Sequence, residues 1–366
     1  NDQAGSTRIV DTDTDGTATI DIGAIELAGP VIPNGLIVLN TLDSGPGSLR
    51  EAIVTANGTI GADTITFAEG VNDTITLPGG QLAVSDSLTI IGAGAGNLAI
   101  SGNGSSRIFY LDGNGTLDVS ISALTLQDGD AGSEDGGAIY NSGEALVLQD
   151  VVVSGNSAAN GAGIFQAGGG TLTITGSLLS SNSAAENGGG LYQTGSGTLT
   201  IQGSTFDGNS TSDGSGAGVY LEGNLSIEQS TFRNNDAVIS GPGGGGAVWL
   251  SGSDLLIRES TFHQNTASGQ TASGDNGGGA LYFNSGQLTV ESSTFSGNTG
   301  GGSQDSSGGG AIHVLGTANL SILNSTILGN DTSGAFGGGI YIRGGTTTLH
   351  NSIIADNTAD GLPEDL

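Results

Sequence analysis

The chain has 366 residues, a formal net charge of -30, 70 glycines, no cysteine, no methionine and, with arginine supplying every basic residue, no lysine. That charge repels nucleic acid and disfavours an acidic membrane surface, and without cysteine there is neither a disulfide framework nor a thiol nucleophile. Hydrophobic residues make up 35% and alternate with polar ones, which glycine-rich disorder does not require, and no apolar run approaches the ~18 residues of a membrane helix.

The chain opens on Asn1 with no initiator methionine and no signal peptide, which suits a processed chain or a fragment. Residues 11–16 read "DTDTDG". Asp11, Asp13 and Asp15 stand at the first, third and fifth places of a calcium loop, and Gly16 permits the sharp turn at the sixth. The twelfth place, where a bidentate glutamate belongs, is Ile22, and Asp21 falls one residue early. Two readings stay open: a looser Ca2+ site of Asp11, Asp13, Asp15 and Asp21 with a borrowed ligand, or an acidic solvated turn.

A connector covers roughly 28–35. "GSLREAIVTANG" then predicts a short helix near 48–57, with Ser48 as N-cap, Glu51 completing a capping box and Gly58 as the stop. Such a helix would cover the sticky strand edge of a first coil. "DTITF", "DTITL", "SLTII", "LAIS", "RIFYL" and "DVSISALTL" follow as short strands of irregular coils.

From position 136 one phrase recurs eight times, from "GGAIY" to "GGGIY", at spacings of 25 to 33 residues. Each is followed by an alternating stretch such as "TLTI" and then by variants of "STFDGN". Short strands between glycine turns, with variable loops at one corner, predict a parallel β-solenoid, because a single coil cannot bury its apolar face alone. Three columns should form the interior. They run through Ile139 to Ile340, through pairs such as Leu172/Ile174 and Leu199/Ile201, and through Val153, Leu179, Phe206, Phe232, Phe262, Phe295, Ile327 and Ile354. Three residues after the last column every coil carries an asparagine: Asn156, Asn182, Asn209, Asn235, Asn265, Asn298, Asn330 and Asn357. Asparagine tolerates left-handed turns and its amide bonds backbone and stacked neighbours, so these predict a ladder inside a turn, with a polar binding row as the alternative.

Alternation places a further column opposite the first: Tyr140, Phe165, Tyr192, Tyr220, Trp249, Tyr282, His313 and Tyr341. Facing outward about 4.8 Å apart, rings such as Tyr192, Tyr220, Trp249 and Tyr282 could bind sugar faces, unless the variable loops fold over them. Glu228, Arg258 and Glu291, and likewise Asp207 and Arg233, fall on neighbouring coils and suit cross-strand charge pairs. Polysaccharide-cleaving solenoids need a free base or clustered carboxylates. Neither stands out here, so no catalytic residue is expected.

"SLREAI" resembles the motif of CSLREA-type bacterial surface β-helices, with Gly47 in place of the usual cysteine, and the "GGA[ILV]" and "FxxN" phrases look like those of the chlamydial polymorphic outer-membrane proteins. The resemblance spans about 36–360. It implies an all-β, right-handed parallel β-helix in an exported, cell-surface protein, with adhesins among its members. Residues 1–27 resemble the closing segment of such modules, which ordinarily follows the last coil. Here it precedes the coils, and the chain stops at "NTADGLPEDL" with no cap of its own. A connector of about 28 Å at full stretch cannot span eight coils stacked to about 38 Å. Two explanations remain: the segment is the tail of a missing module, or it caps a neighbouring copy.

The expectation is therefore a segment at 1–35 and a β-helix domain at 36–366. The chain would be an extracellular fibre or giant-adhesin subunit polymerising head to tail through Thr19, Ile20, Ile22, Ile25 and Leu27. Calcium is a possible cofactor, and other copies of the chain are the first partner. A glycan-binding module using the aromatic stripe is the second reading, and a polysaccharide lyase or hydrolase the third.

Overall fold

The structure is a computed structural model that describes residues 35–366 apart from 241–242, 270–275, 302–307 and 334–335. The unit described is Leu36–Leu366, one of two compact units in the chain. The calcium residues Asp11, Asp13, Asp15 and Asp21, and Thr19, Ile20, Ile22, Ile25 and Leu27, lie outside the described residues.

Residues 36–366 wind into an all-β parallel solenoid whose coils stack strand on strand. One face is a 20-stranded sheet with two strands per coil, the second has 11 strands, and the third has 9. The register is strict: Ile139 pairs with Ile164, Ile164 with Leu191, and Leu191 with Val219. The column from Ile139 to Ile340 is fully buried, as are Leu172, Ile174 and their successors to Ile322. In the third column Phe206, Phe232, Phe262 and Phe295 stack at 4.7–4.9 Å inside the core.

In the phrase "STFDGN" the serine, phenylalanine and asparagine each have a structural task. Its serine is a rung: the Ser204 N–H donates to Ser230 Oγ at 3.2 Å, and the same bond repeats from Val151 to Ser352. Its phenylalanine fills the core. Its asparagine is a second rung. Asn209 donates from its backbone N–H (3.1 Å) and from Nδ2 (2.9 Å) to Asn235 Oδ1, and Nδ2 also donates to the Leu179 carbonyl of the preceding coil. The ladder runs unbroken from Asn156 to Asn357, every member buried. One part of the expected reason is corrected. The left-handed residue is not the ladder asparagine but the one before it, as at Gly208 (φ 64), Asn234 (φ 55) and Gln264 (φ 54). The bend belongs to that residue, and the asparagine that follows it reaches the next coil.

The double glycine has a different cause. Gly188 sits at φ +64, and a Cβ on Gly189 would stand 2.4 Å from the Ser210 carbonyl oxygen of the next coil. Only hydrogen fits where the coil's corner presses on its neighbour.

Helix Leu49–Gly58 closes the first coils. Leu49, Ala52, Ile53 and Ala56 are its buried face, at the spacing of one helical stripe. Ser48 caps it by accepting from Glu51 N, while the Glu51 carboxylate accepts from Gly47 N at 2.6 Å. Gly58 is the last helical residue rather than the stop; Thr59 is the C-cap. Two side chains satisfy the strand edge beneath. Arg50 donates to the Gly80 and Gln81 carbonyls, and Asn57 donates to the Ala83 carbonyl while accepting from Ser85 N.

The far end corrects a second expectation, that the last coil has no cap of its own. Leu362–Pro363 turns back antiparallel on Thr358–Ala359. Asp365 then takes the place of the next asparagine, accepting from Asn357 N at 3.2 Å and Nδ2 at 3.0 Å.

Removing a middle rung should be costly, because the donors of its neighbour stay buried. Asn235→Ala strands the Asn209 N–H and Nδ2 and is expected to cost about 3 kcal/mol in urea unfolding. Asn357→Ala strands the Asn330 N–H and Nδ2 beneath only the short fold-back of residues 361–366, which can move aside to admit water, and should cost about 1 kcal/mol. Equal losses at the two positions would contradict the ladder account.

Candidate functional site

Two surfaces qualify as sites: the aromatic column and the open face of the last coil. The column is continuous from Tyr110 to Tyr282. Successive rings stand 4.1 to 6.5 Å apart with interplanar angles of 3° to 16°. All six tyrosines of the chain and its one tryptophan lie in this column. A half-exposed ring on a sheet face favours a residue with a polar tip, which is why tyrosine stands here and phenylalanine in the core.

The stacking decides what the column can bind. Each ring covers the face of the next, so Tyr192, Tyr220 and Trp249 are half-buried and present edges and hydroxyl groups rather than faces. Sugar rings pack on aromatic faces, and those are already occupied. The expected outward stripe is also interrupted, with Phe165 buried and Tyr341 half-buried again at its end. Tyr282 is 5% exposed and His313 0%. The loop strands Gly243–Gly244 and Asn276–Gly277 lie against them: a Cβ on Gly244 would come within 2.8 Å of Tyr282, and one on Gly277 within 3.0 Å of His313 Nδ1. Neither His313 ring nitrogen has a partner among the described residues, and burial lowers its pKa to about 3, so it stays neutral.

Carboxylates ring the hydroxyl tips. Burial raises Tyr192 to about 12, helped by Glu222, Asp135 and Glu186, and burial with Tyr192 and Glu222 raises Tyr220. Asp135 heads a second, shorter ladder, accepting from Asn160 N and Nδ2, with Asn160 Oδ1 accepting in turn from Asn187 N. Arg107 stands at the head of the column, 5.2 Å from the Tyr140 centroid, and donates to the Asp135 and Gly136 carbonyls. A hollow of about 520 Å³ is lined by Glu222, Asn224, Ser251 and Asp254 among glycines and serines, with no basic residue and no ring of the column. Among the described residues no three acidic, histidine or cysteine side chains are grouped to hold a metal ion.

The cross-strand charges pair as ions: Arg258 with Glu228 and Arg233 with Asp207, both at 2.7 Å. Glu291 stands in register beyond Arg258, which turns toward Glu228 instead. His263 bonds Ser296.

Sequence reading passed over Glu144. It is fully buried, and its carboxylate accepts from Gly113, Gly115 and Leu117 N–H groups at 2.6 to 2.8 Å. Only register reveals it, since later coils carry Gly170 and Gly197 at that place. Its neighbours Asn141 and Gln166 bond each other at 2.6 Å inside the core, while Gln193 above them has no described partner.

The last coil is the second surface. Val314 and Ile322 are fully buried, yet their in-register successors Ile342 and Leu349 are 42% and 40% exposed. These positions belong to interior columns, so the face they leave open is where a further coil would sit.

Two overlapping stretches, residues 95–275 and 218–363, match the family model described as a right-handed β-helix region. No curated protein matches the chain. A solved structure, ORF18 of Geobacillus virus E2, is similar at 11% identity and a TM-score of 0.48, covering 92% of this chain and 65% of its own.

The raised phenols carry a pH signature. Tyr192 ionises near 10 when unfolded and near 12 when folded, so the stability it contributes is complete below pH 10 and lost as the pH rises through 12. Tyrosinate absorbance should therefore lag in the folded protein, and Tyr192→Phe should raise the pH of alkaline unfolding. An unchanged midpoint would contradict the burial of this phenol.

Proposed function

The chain belongs to the right-handed β-helix family, and from that premise we propose that it is a structural subunit of an extracellular bacterial filament or large surface adhesin. It assembles head to tail, residues 1–27 of one copy closing the last coil of the next. The observation that carries this reading is the uncovered interior column at Ile342 and Leu349. An apolar sheet edge of this kind is a template for an added strand, and the alternating pairs Ile20/Ile22 and Ile25/Leu27, on either side of Gly23 and Ala24, suit one.

Reach favours a second copy over the chain's own segment. The connector at 28–35 extends about 28 Å at most, while ten steps between the strands of the 11-stranded sheet span about 48 Å. A joint of this type is heterologous and continues into a filament. Asp11, Asp13, Asp15 and Asp21 would place calcium at that joint, where it offsets the mutual repulsion of chains with a net charge of -30. No catalytic step is assigned. Occupied ring faces favour this structural reading over glycan capture by the aromatic column.

The test is deletion of residues 1–27. The full chain should form filaments visible by electron microscopy, weakened by a calcium chelator, and the deletion protein should stay monomeric and bind a free 1–27 peptide. Filaments that persist in the deletion protein would overturn strand donation.

A further inference from the structure

The last rung differs from all the others in its chemistry. At each interior rung an asparagine performs three tasks: Oδ1 accepts from the previous asparagine's N–H and Nδ2, while Nδ2 donates both onward and back to the core-column carbonyl of the preceding coil. Asn357 follows this rule, donating to the Ile327 carbonyl at 3.1 Å. Its successor in space is Asp365, which arrives after only eight residues, whereas the neighbouring rungs are separated by 26 to 33. A carboxylate accepts the two donors of Asn357 but has no hydrogen for the Ile354 carbonyl, the next in the series.

The segment carrying it is thinly held. The Ile340 N–H donates to the Asp365 carbonyl at 3.2 Å, and the Glu364 N–H to the Asn357 carbonyl at 2.9 Å. Its apolar side chains find no core: Leu362 is 68% exposed and Leu366 60%. It satisfies the ladder while leaving Ile342 and Leu349 open beside it.

We propose that residues 361–366 are a displaceable stand-in for the next coil, and that Asp365 keeps the asparagine rung satisfied until the N-terminal segment of a second copy displaces it. This rests on the strand-donation reading above and adds its regulation. The stand-in protects the ladder end from non-specific strand pairing, and its missing donor lets an arriving segment that also covers Ile342 and Leu349 win the exchange. Displacement breaks only non-covalent contacts, chiefly the bonds to Asn357 and Ile340 and the short antiparallel pair at Thr358–Ala359.

The test uses the full chain with Asp365→Ala and Asp365→Asn, comparing hydrogen exchange at the Ile340 and Asn357 amides with the rate of filament growth. Asp365→Ala removes the acceptor. It should raise exchange at the Asn357 amide about tenfold, the scale of one lost buried hydrogen bond, raise it at Ile340, whose acceptor is the Asp365 main-chain carbonyl, as the segment detaches, and speed growth several-fold. Asp365→Asn keeps the acceptor and supplies the donor, so it should retain protection and grow no faster than the parent. Unchanged exchange in Asp365→Ala, or growth slowed by it, would overturn the proposal. Filaments growing equally in all three would overturn displacement alone. Absence of filaments in every variant would overturn the self-assembly reading and displacement with it.

Discussion

The hydrogen bond from one coil to the next is the constraint on which this molecule depends. No coil here has a core of its own. Each buries its apolar columns only because a second coil lies one strand spacing above, about 4.8 Å away. The asparagine ladder fixes that distance from within the core, since Nδ2 of each rung meets Oδ1 of the next at 2.8 or 2.9 Å. The same bond gives the stack a direction. At the start of the ladder Asn156 presents an acceptor, taken by the Gly129 N–H; at its end Asn357 presents donors. The ladder therefore has complementary but unlike ends.

The two ends are closed in different ways. At the start, a ten-residue helix buries four residues and sends Arg50 and Asn57 into the backbone groups of the strand edge. That closure is both packed and hydrogen-bonded. At the far end one carboxylate and a two-residue strand stand on a face whose apolar columns remain open. The fold thus covers one end thoroughly and the other lightly.

Repetition made most of the fold readable from the residues. Eight copies of a phrase average out local accidents, so the interior columns and the asparagine ladder emerged from spacing alone. The left-handed residue was misplaced by one position, onto the ladder asparagine, although the glycine that precedes it at Gly155, Gly208, Gly297 and Gly329 marks the bend. Features that occur once had no such redundancy. Glu144 filling a turn of backbone N–H groups, and Asp365 replacing an asparagine by folding back, depend on contacts between positions with no repeating offset. The aromatic column was legible as a column. Its stacking, which turns ring faces toward each other, and the burial of Tyr282 and His313 under loop strands were not, because alternation specifies a side of the sheet and not what lies over it.

The account's central claim is that the sheets run unbroken from one subunit into the next. Cryo-electron microscopy of the assembled filament measures this directly. The account predicts strands continuing at about 4.8 Å across every joint, an asparagine or equivalent acceptor from the neighbouring copy beside Asn357 in place of Asp365, and an axial repeat no shorter than the roughly 53 Å of eleven stacked coils. Subunits packed side by side, or a joint at which the strand spacing is interrupted and Asp365 still holds Asn357, would contradict it.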